Sequence, residues 1–324
     1  MLMKIHYFTG EPWEEAYVRE KLQGADITFH TGALSTYPDL TDPEAEALCT
    51  FIDSPIGEAE MGRFPALKLI ATRSTGYDHI NLAVTKARGV AVANVPFYGE
   101  NTVAEFAFAL LLALSRRIID ADESVRESGA FSPVGLRGFD LDGKTLGVVG
   151  TGHIGAHVIR MSKGFGMKVL GFDAFPNQDL SHTLNFSYVS LPELLAQSDI
   201  ITLHVPYNKD THHLINKENI GTIKKGAYLI NTARGAVVET DALVAALKSG
   251  TLAGAGLDVL EEEQNLQDKK SEISAENHYL IDHPRVIVTP HCAFNTTEAV
   301  ERILNTTIEN IRGFATDSLT NIVS

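Results

Sequence analysis

The sequence predicts an α/β protein made of two doubly wound parallel-sheet domains, and three observations carry that expectation. Short apolar runs rich in β-branched residues alternate with segments of helical period along the chain, the pattern of βαβ units. In the second half, strand candidates recur about every 27 residues, close to the ~30-residue βαβ repeat. The length of 324 residues suggests two domains at roughly 150 residues each.

In the first third, strands are expected at Lys4–Thr9, Asp26–His30, Leu48–Ile52, Leu67–Thr72 and Val90–Asn94, with helices over Trp13–Gln23 and Ile80–Arg88. Asn101–Arg117 reads as a helix that is apolar on nearly all sides, hence buried between other elements. Thr102 and Glu105 have the spacing of a capping box at its start. The Gly- and Pro-bearing stretch Ser128–Asp142 reads as a loop leading into a new domain. Further strands are expected at Thr145–Gly150, Lys168–Asp173, Ile200–Val205, Ala227–Asn231, Gly254–Val259 and Val286–Thr289, with a helix over Ala156–Phe165. From Thr297 to Phe314, Val300, Ile303, Leu304, Ile308 and Ile311 recur at helical spacing and predict a last helix.

Hydrophobic residues make up 44% and charged residues 21% of the chain, which suits a folded globular protein and argues against general disorder. Lys and Arg number 27 and Asp and Glu 41, a formal charge of −14. Nucleic acids and anionic lipid surfaces demand a basic footprint, so neither is expected as a partner. Cys49 and Cys292 form no CxxC pair, which suggests neither a disulfide framework nor a structural zinc, and a reducing cytoplasm fits best. The opening residues Met1–Tyr7 lack the apolar core of a signal peptide, and the longest apolar run, Phe106–Leu114, is too short for a ~20-residue membrane span. A soluble cytoplasmic protein is expected.

After the run Thr145–Val149 comes Gly150-Thr151-Gly152-His153-Ile154-Gly155 and then a helical segment. Strand, G-x-G-x-x-G and helix follow in the order of the dinucleotide fingerprint. Gly150 makes the turn, Gly152 lets the backbone approach a pyrophosphate, and Gly155 lets helix and strand pack closely. The helix N-terminus then presents N–H groups to the anion. The next strand ends at Asp173, 21 residues past Gly152, where a carboxylate would accept hydrogen bonds from ribose hydroxyls. Ala174–Gln178 bring no Arg or Lys for a 2′-phosphate, so NAD is expected over NADP.

Reduction of a ketone needs a cation for the substrate carboxylate and an acid for the carbonyl oxygen. Arg234 ends the strand Ala227–Asn231 and its turn, where open α/β sheets bind ligands, and its fork of donors suits a carboxylate. His291 follows Val286–Pro290 at another strand end and can exchange a proton near neutral pH. Its acidic orienter could be Glu261, Glu262 or Glu263, and spacing alone does not choose. His204 lies in the strand Ile200–Val205, and the adjacent His212 and His213 cannot share one face as metal ligands.

Together these pieces resemble the D-isomer-specific 2-hydroxyacid dehydrogenase family, most closely its D-lactate dehydrogenase branch. The resemblance covers nearly the whole chain and rests on Arg73–Ile80, Val95–Glu105, the glycine loop, Asn231–Gly235, Gly256–Val259 and Thr289–Phe294. It implies a flavodoxin-like substrate domain, residues 1–100 plus 297–324, into which a Rossmann NAD domain, residues 101–296, is inserted, with the active site in the cleft between them. By the family's five-residue spacing from Asp258, it points to Glu263 as the partner of His291, with Arg234 binding and polarising the 2-oxo acid. It further implies that Ser74, Thr75 and Gly76 hold the carboxylate through backbone N–H groups, and that Tyr98 and Phe294 shape the pocket. Asn295 departs from the branch, which often carries tyrosine there.

For the cofactor the resemblance implies contacts from Val103, from Gly150, Gly152, His153, Ile154 and Gly155, and from Asp173. It adds His204, Val205, Pro206 and Thr211, then Thr232, Ala233, Asp258 and Ala293. The expected activity is reversible reduction of pyruvate or a related small 2-oxo acid with NADH, without metal, by a homodimer. A glyoxylate or hydroxypyruvate reductase, or a broader D-2-hydroxyacid dehydrogenase, is the alternative within the class. An NAD-sensing corepressor-like binding protein is the alternative outside it.

Overall fold

The computed structural model describes residues 3–263 and 273–323, and the chain divides into two compact units, 1–98 with 296–324 and 99–295. In chain order the first unit begins with β1 (Lys4–Thr9), α1 (Pro12–Lys21), β2 (Asp26–Thr31), β3 (Ala47–Thr50), α2 (Glu58–Gly62), β4 (Leu69–Thr72), α3 (Leu82–Ala87) and β5 (Ala91–Ala93). The second unit starts with α4 (Glu100–Arg116), α5 (Ile118–Ser128), β6 (Thr145–Val149), α6 (His153–Gly164), β7 (Lys168–Phe172), α7 (Gln178–Leu184) and β8 (Ser187–Tyr188). It continues with α8 (Leu191–Gln197), β9 (Ile200–Leu203), β10 (Ala227–Asn231), α9 (Thr240–Ser249), β11 (Leu252–Leu257), α10 (Ala275–Asp282) and β12 (Val286–Val288). A final helix, α11 (Thr297–Ala315), returns to the first unit.

The first unit is a five-stranded parallel sheet in the order β2-β1-β3-β4-β5, the flavodoxin-like arrangement. One of its cores joins Ile5, Tyr7, Ala47, Cys49, Leu69 and Ala71 on the strands to Leu304, Ile308 and Ile311 of α11. These apolar positions recur every three or four residues, so one stripe of α11 faces the sheet. Thr296 caps its N-terminus by accepting from Ala299 N at 3.3 Å.

The second unit is a seven-stranded parallel sheet in the order β12-β11-β10-β9-β6-β7-β8. The order reverses beside β6, as in the Rossmann fold, where the carboxyl ends of the strands hold ligands. The apolar helix α4 buries Val103, Ala104, Ala107, Phe108, Leu110, Leu111 and Leu114. It packs directly on β11, because a Cβ at Gly256 would stand 3.0 Å from the Leu110 Cβ. The expected capping box is absent: α4 starts at Glu100 with Gly99 as N-cap, so Thr102 falls inside the first turn and is buried. Arg117, at φ 51°, ends α4 and lets the chain restart as α5, a helix with no buried residue. Among the described residues no helix is long and apolar enough to cross a membrane.

Candidate active site

The glycine loop leaves β6 at Gly150, whose φ of +90° favours a residue without Cβ. A Cβ there would lie 2.6 Å from His204 O, and one at Gly155 only 2.1 Å from Gly150 O. These two glycines bring β6, the end of β9 and α6 together. At Gly152 a Cβ would meet nothing within 4 Å, so its surroundings are open space. Gly152 is also the N-cap of α6 and offers no side-chain cap, so the N–H groups of the first turn, at His153, Ile154 and Gly155, are presented to a ligand.

Asp173, just past β7, accepts from Thr151 N at 2.7 Å and Thr151 Oγ1 at 3.0 Å through Oδ2, and from Phe175 N at 2.9 Å through Oδ1. Thr151 Oγ1 also lies 2.7 Å from the Tyr188 hydroxyl. A carboxylate has about four acceptor sites, so capacity for a ribose hydroxyl remains. Sequence reasoning missed this bracing: Thr151 stands in plain view inside the fingerprint, whereas Tyr188 lies on a two-residue strand that leaves no periodic signal.

The carboxyl ends of β9 and β10 carry two buried polar atoms, His204 Nδ1 and Thr232 Oγ1, with no hydrogen-bond partner among the described residues. His204 Nε2 pairs with Thr202 Oγ1 at 2.8 Å, and burial pushes this imidazole down to about 3, so it is neutral. An unsatisfied buried polar atom costs roughly 1–3 kcal/mol, which a polar ligand at these strand ends would relieve. Thr211 Oγ1 donates to Pro206 O at 2.6 Å and closes the loop beyond half-buried Val205. Val103 lies buried on α4. Orphaned atoms, open space at Gly152 and an uncapped helix fit a dinucleotide.

Arg234, Glu263 and His291 follow β10, β11 and β12, three adjacent strands of one sheet. Asn231 braces the arginine's turn: Oδ1 accepts from Ala233 N and Nδ2 donates to Arg234 O, each at 3.0 Å. The guanidinium Nη1 donates to Ala233 O at 2.8 Å. Gly235 is required because a Cβ there would stand 2.0 Å from the Leu260 carbonyl carbon, which seats this turn against the segment leading to Glu263.

The histidine loop is organised by Asp258, a carboxylate 1% exposed. It accepts from Thr289 Oγ1 at 2.5 Å, Cys292 N at 2.9 Å and Ala293 N at 2.8 Å. Burial pushes the Asp258 carboxyl up against the opposing pull of these donors. His291 N donates to Asp258 O at 2.8 Å, and His291 itself sits at φ 51°, a left-handed conformation that a non-glycine residue holds at a cost of ~1–3 kcal/mol. That geometry puts Nδ1 at 2.5 Å from Glu263 Oε1. Glu261 turns instead to His213 Nε2 at 2.7 Å and to Thr240 Oγ1 at 2.7 Å. Among the three glutamates the structure thus sets Glu263 against His291. Phe294 is half-buried in the same loop.

Ser74, Thr75, Gly76 and Tyr98 belong to the first unit. Ser74 Oγ donates to Gly76 O at 2.6 Å and Thr75 Oγ1 to Val95 O at 2.8 Å, leaving Thr75 exposed at the tip. Tyr98 O accepts from Arg302 Nε at 2.5 Å.

Residues 108–293 match the family model described as the NAD binding domain of D-isomer specific 2-hydroxyacid dehydrogenases. A glyoxylate reductase of Korarchaeum cryptofilum is 39% identical over 274 residues, 84% of this chain and 80% of that protein. An aromatic 2-oxoacid reductase of Clostridium sporogenes is 42% identical over 253 residues, 76% of each chain. Among solved structures, D-lactate dehydrogenase from Aquifex aeolicus complexed with NAD and lactic acid superposes with a TM-score of 0.90 at 37% identity, covering 99% of both chains.

Proposed function

The chain belongs to the D-isomer-specific 2-hydroxyacid dehydrogenase family with NAD as cofactor, and from that premise we propose that it interconverts pyruvate and D-lactate. The observation that carries the chemistry is the His291–Glu263 pair at 2.5 Å, one strand end away from Arg234. The similarity to the Aquifex enzyme complexed with lactic acid supports the substrate.

When bound, the cofactor would supply the hydride as NADH in reduction and would accept it as NAD⁺ in oxidation. In reduction, His291 gives a proton from Nε2 to the carbonyl oxygen, since Nδ1 is held by Glu263. Glu263 fixes the ring and balances the charge of its protonated form. Arg234 grips the carboxylate and polarises the carbonyl with a planar fork. On the first unit the Thr75 and Gly76 N–H groups suit a carboxylate oxygen, with Tyr98 in the same unit, and on the second Phe294 lies in the His291 loop; Tyr98 and Phe294 are the side chains read as setting substrate size. Gly152 and the first turn of α6 hold the pyrophosphate, and Asp173 the adenosine ribose.

Ile118, Ile119 and Val125 of α5 and Phe131 and Val134 beyond it are all exposed, the last two at 94% and 87%. An apolar face of this kind marks an interaction site, and we assign it to a homodimer.

A panel of 2-oxo acids with NADH tests the reading. Pyruvate should exceed phenylpyruvate in kcat/KM by about one to two decades, because each misfitting methylene costs ~1–3 kcal/mol. The glyoxylate reductase similarity favours a second reading, and a higher kcat/KM for glyoxylate than for pyruvate would establish it.

A further inference from the structure

The first unit contains a chain of buried amides that the chemistry above does not use. Asn94 follows β5 and Asn310 lies on α11, exposed by only 6% and 2%. Asn321 Nδ2 donates to Asn310 Oδ1, Asn310 Nδ2 to Asn94 O, and Asn94 Nδ2 to Thr75 O, each at 2.8 Å. Asn94 N donates back to Asn321 O at 3.2 Å. Burying amides is costly unless they are bonded, and apolar side chains would serve packing alone equally well.

We propose that Asn94, Asn310 and Asn321 are positioning residues that aim the Ser74–Gly76 loop at the substrate carboxylate. The inference rests on the reading of that loop as the carboxylate site. In a planar trans peptide the C=O and N–H point to opposite sides. Val95 N donates to Ser74 O at 3.0 Å, which sets the direction of the Thr75 N–H. Asn94 holds Thr75 O, which sets the direction of the Gly76 N–H. Neither N–H donates a hydrogen bond among the described residues. Two successive donors fixed from behind form an anion-binding concavity. Asn310 holds Asn94 in turn, so α11 serves as the base on which the loop is aimed.

The test uses the full chain with Asn94→Asp and Asn310→Asp, which keep the shape and remove the Nδ2 donor. Steady-state kinetics with pyruvate and NADH, NADH titration by fluorescence and the thermal midpoint are read for each. KM for pyruvate should rise about tenfold, the worth of a misaligned hydrogen bond to a charged group. The NADH dissociation constant should stay at the parental value, and kcat should fall by less than about threefold. A purely structural role would lower kcat through loss of active protein and leave KM alone, and that result overturns the proposal. Should either variant fail to fold, Asn321→Asp, at the outer end of the chain of amides, reads the same quantity, and an unchanged KM there overturns it too. A parent enzyme that reduces no 2-oxo acid would defeat the proposed function and this inference together. An active parent whose variants keep its KM would defeat the inference alone.

Discussion

Glu261 and Glu263 stand two residues apart yet serve different histidines, Glu261 reaching His213 Nε2 at 2.7 Å and Glu263 reaching His291 Nδ1 at 2.5 Å. The turn carrying Glu262 at φ 59° separates them. His291→Ala should therefore lower kcat for pyruvate reduction by about 10²–10⁴, the range of general acid catalysis, with NADH binding kept. Glu263→Gln should lower kcat while Glu261→Gln leaves it much closer to the parent. Steady-state rates of the three variants check this, and a larger loss in Glu261→Gln would reverse the assignment.

Arg234→Lys keeps the charge and loses the fork. A point ammonium cannot reproduce a two-point grip, so both KM and kcat should worsen, together by about a hundredfold in kcat/KM or ~2.7 kcal/mol. Parental kinetics would show that Arg234 is peripheral.

Cofactor choice turns on Asp173. A 2′-phosphate would meet its negative charge, and like charges set preference by repulsion. NADH should exceed NADPH in kcat/KM by at least about tenfold, and Asp173→Ala should shrink the ratio mainly by weakening NADH. Because Thr151 and Tyr188 brace the carboxylate, Tyr188→Phe should narrow the ratio in the same direction by less. Equal use of both cofactors by the parent would contradict this account.

Acid should weaken the first unit in two steps. Burial, and then the neighbouring His6 ring, hold His30 below its ordinary 6.5, so below that pH the unfolded chain binds a proton that the fold resists. Stability present above 6.5 is lost as the pH falls toward the folded value. Asp42 behaves alike at lower pH: burial opposes its ionisation, but hydrogen bonds from Lys4 and His6 hold it far below 3.8, so its contribution disappears only in stronger acid. Trp13 is the only tryptophan and lies in this unit, so its fluorescence in urea titrations reports the right transition. His30→Gln should flatten the loss as the pH falls below 6.5, and an unchanged slope would count against the His30 contribution.

Much of this was legible from residues alone. Ala227–Asn231 and Lys4–Thr9 are strands to the residue: Ala227–Ile230 is a short apolar run with a polar end, and Lys4–Thr9 sets Ile5, Tyr7 and Phe8 between polar ends. The glycine loop was legible because three positions answer to three separate steric demands. The capping box at Thr102 misled, since Gly99 offers an earlier start for α4. Helix α5 left no signal because it buries nothing, and periodicity reports burial. Spacing could not separate Glu261 from Glu263, as their roles depend on a left-handed turn and on β12, some 25 residues further along the chain. The links among Asn94, Asn310 and Thr75 span up to 216 positions, beyond any local pattern.

The first unit is written in two pieces, and its β-sheet core needs Leu304, Ile308 and Ile311 from the last helix. During translation all five strands emerge before that helix exists. At ~5–20 residues per second, the roughly 200 residues between the pieces impose a wait of about 10–40 s. Through that interval the sheet has Val18 of α1 and Leu22 at its end but lacks the part of its cover that the last helix brings, while the uninterrupted second unit can close its own core. The NAD-binding unit is therefore completed first, and the nascent first unit is the segment on which chaperone contact or aggregation should concentrate.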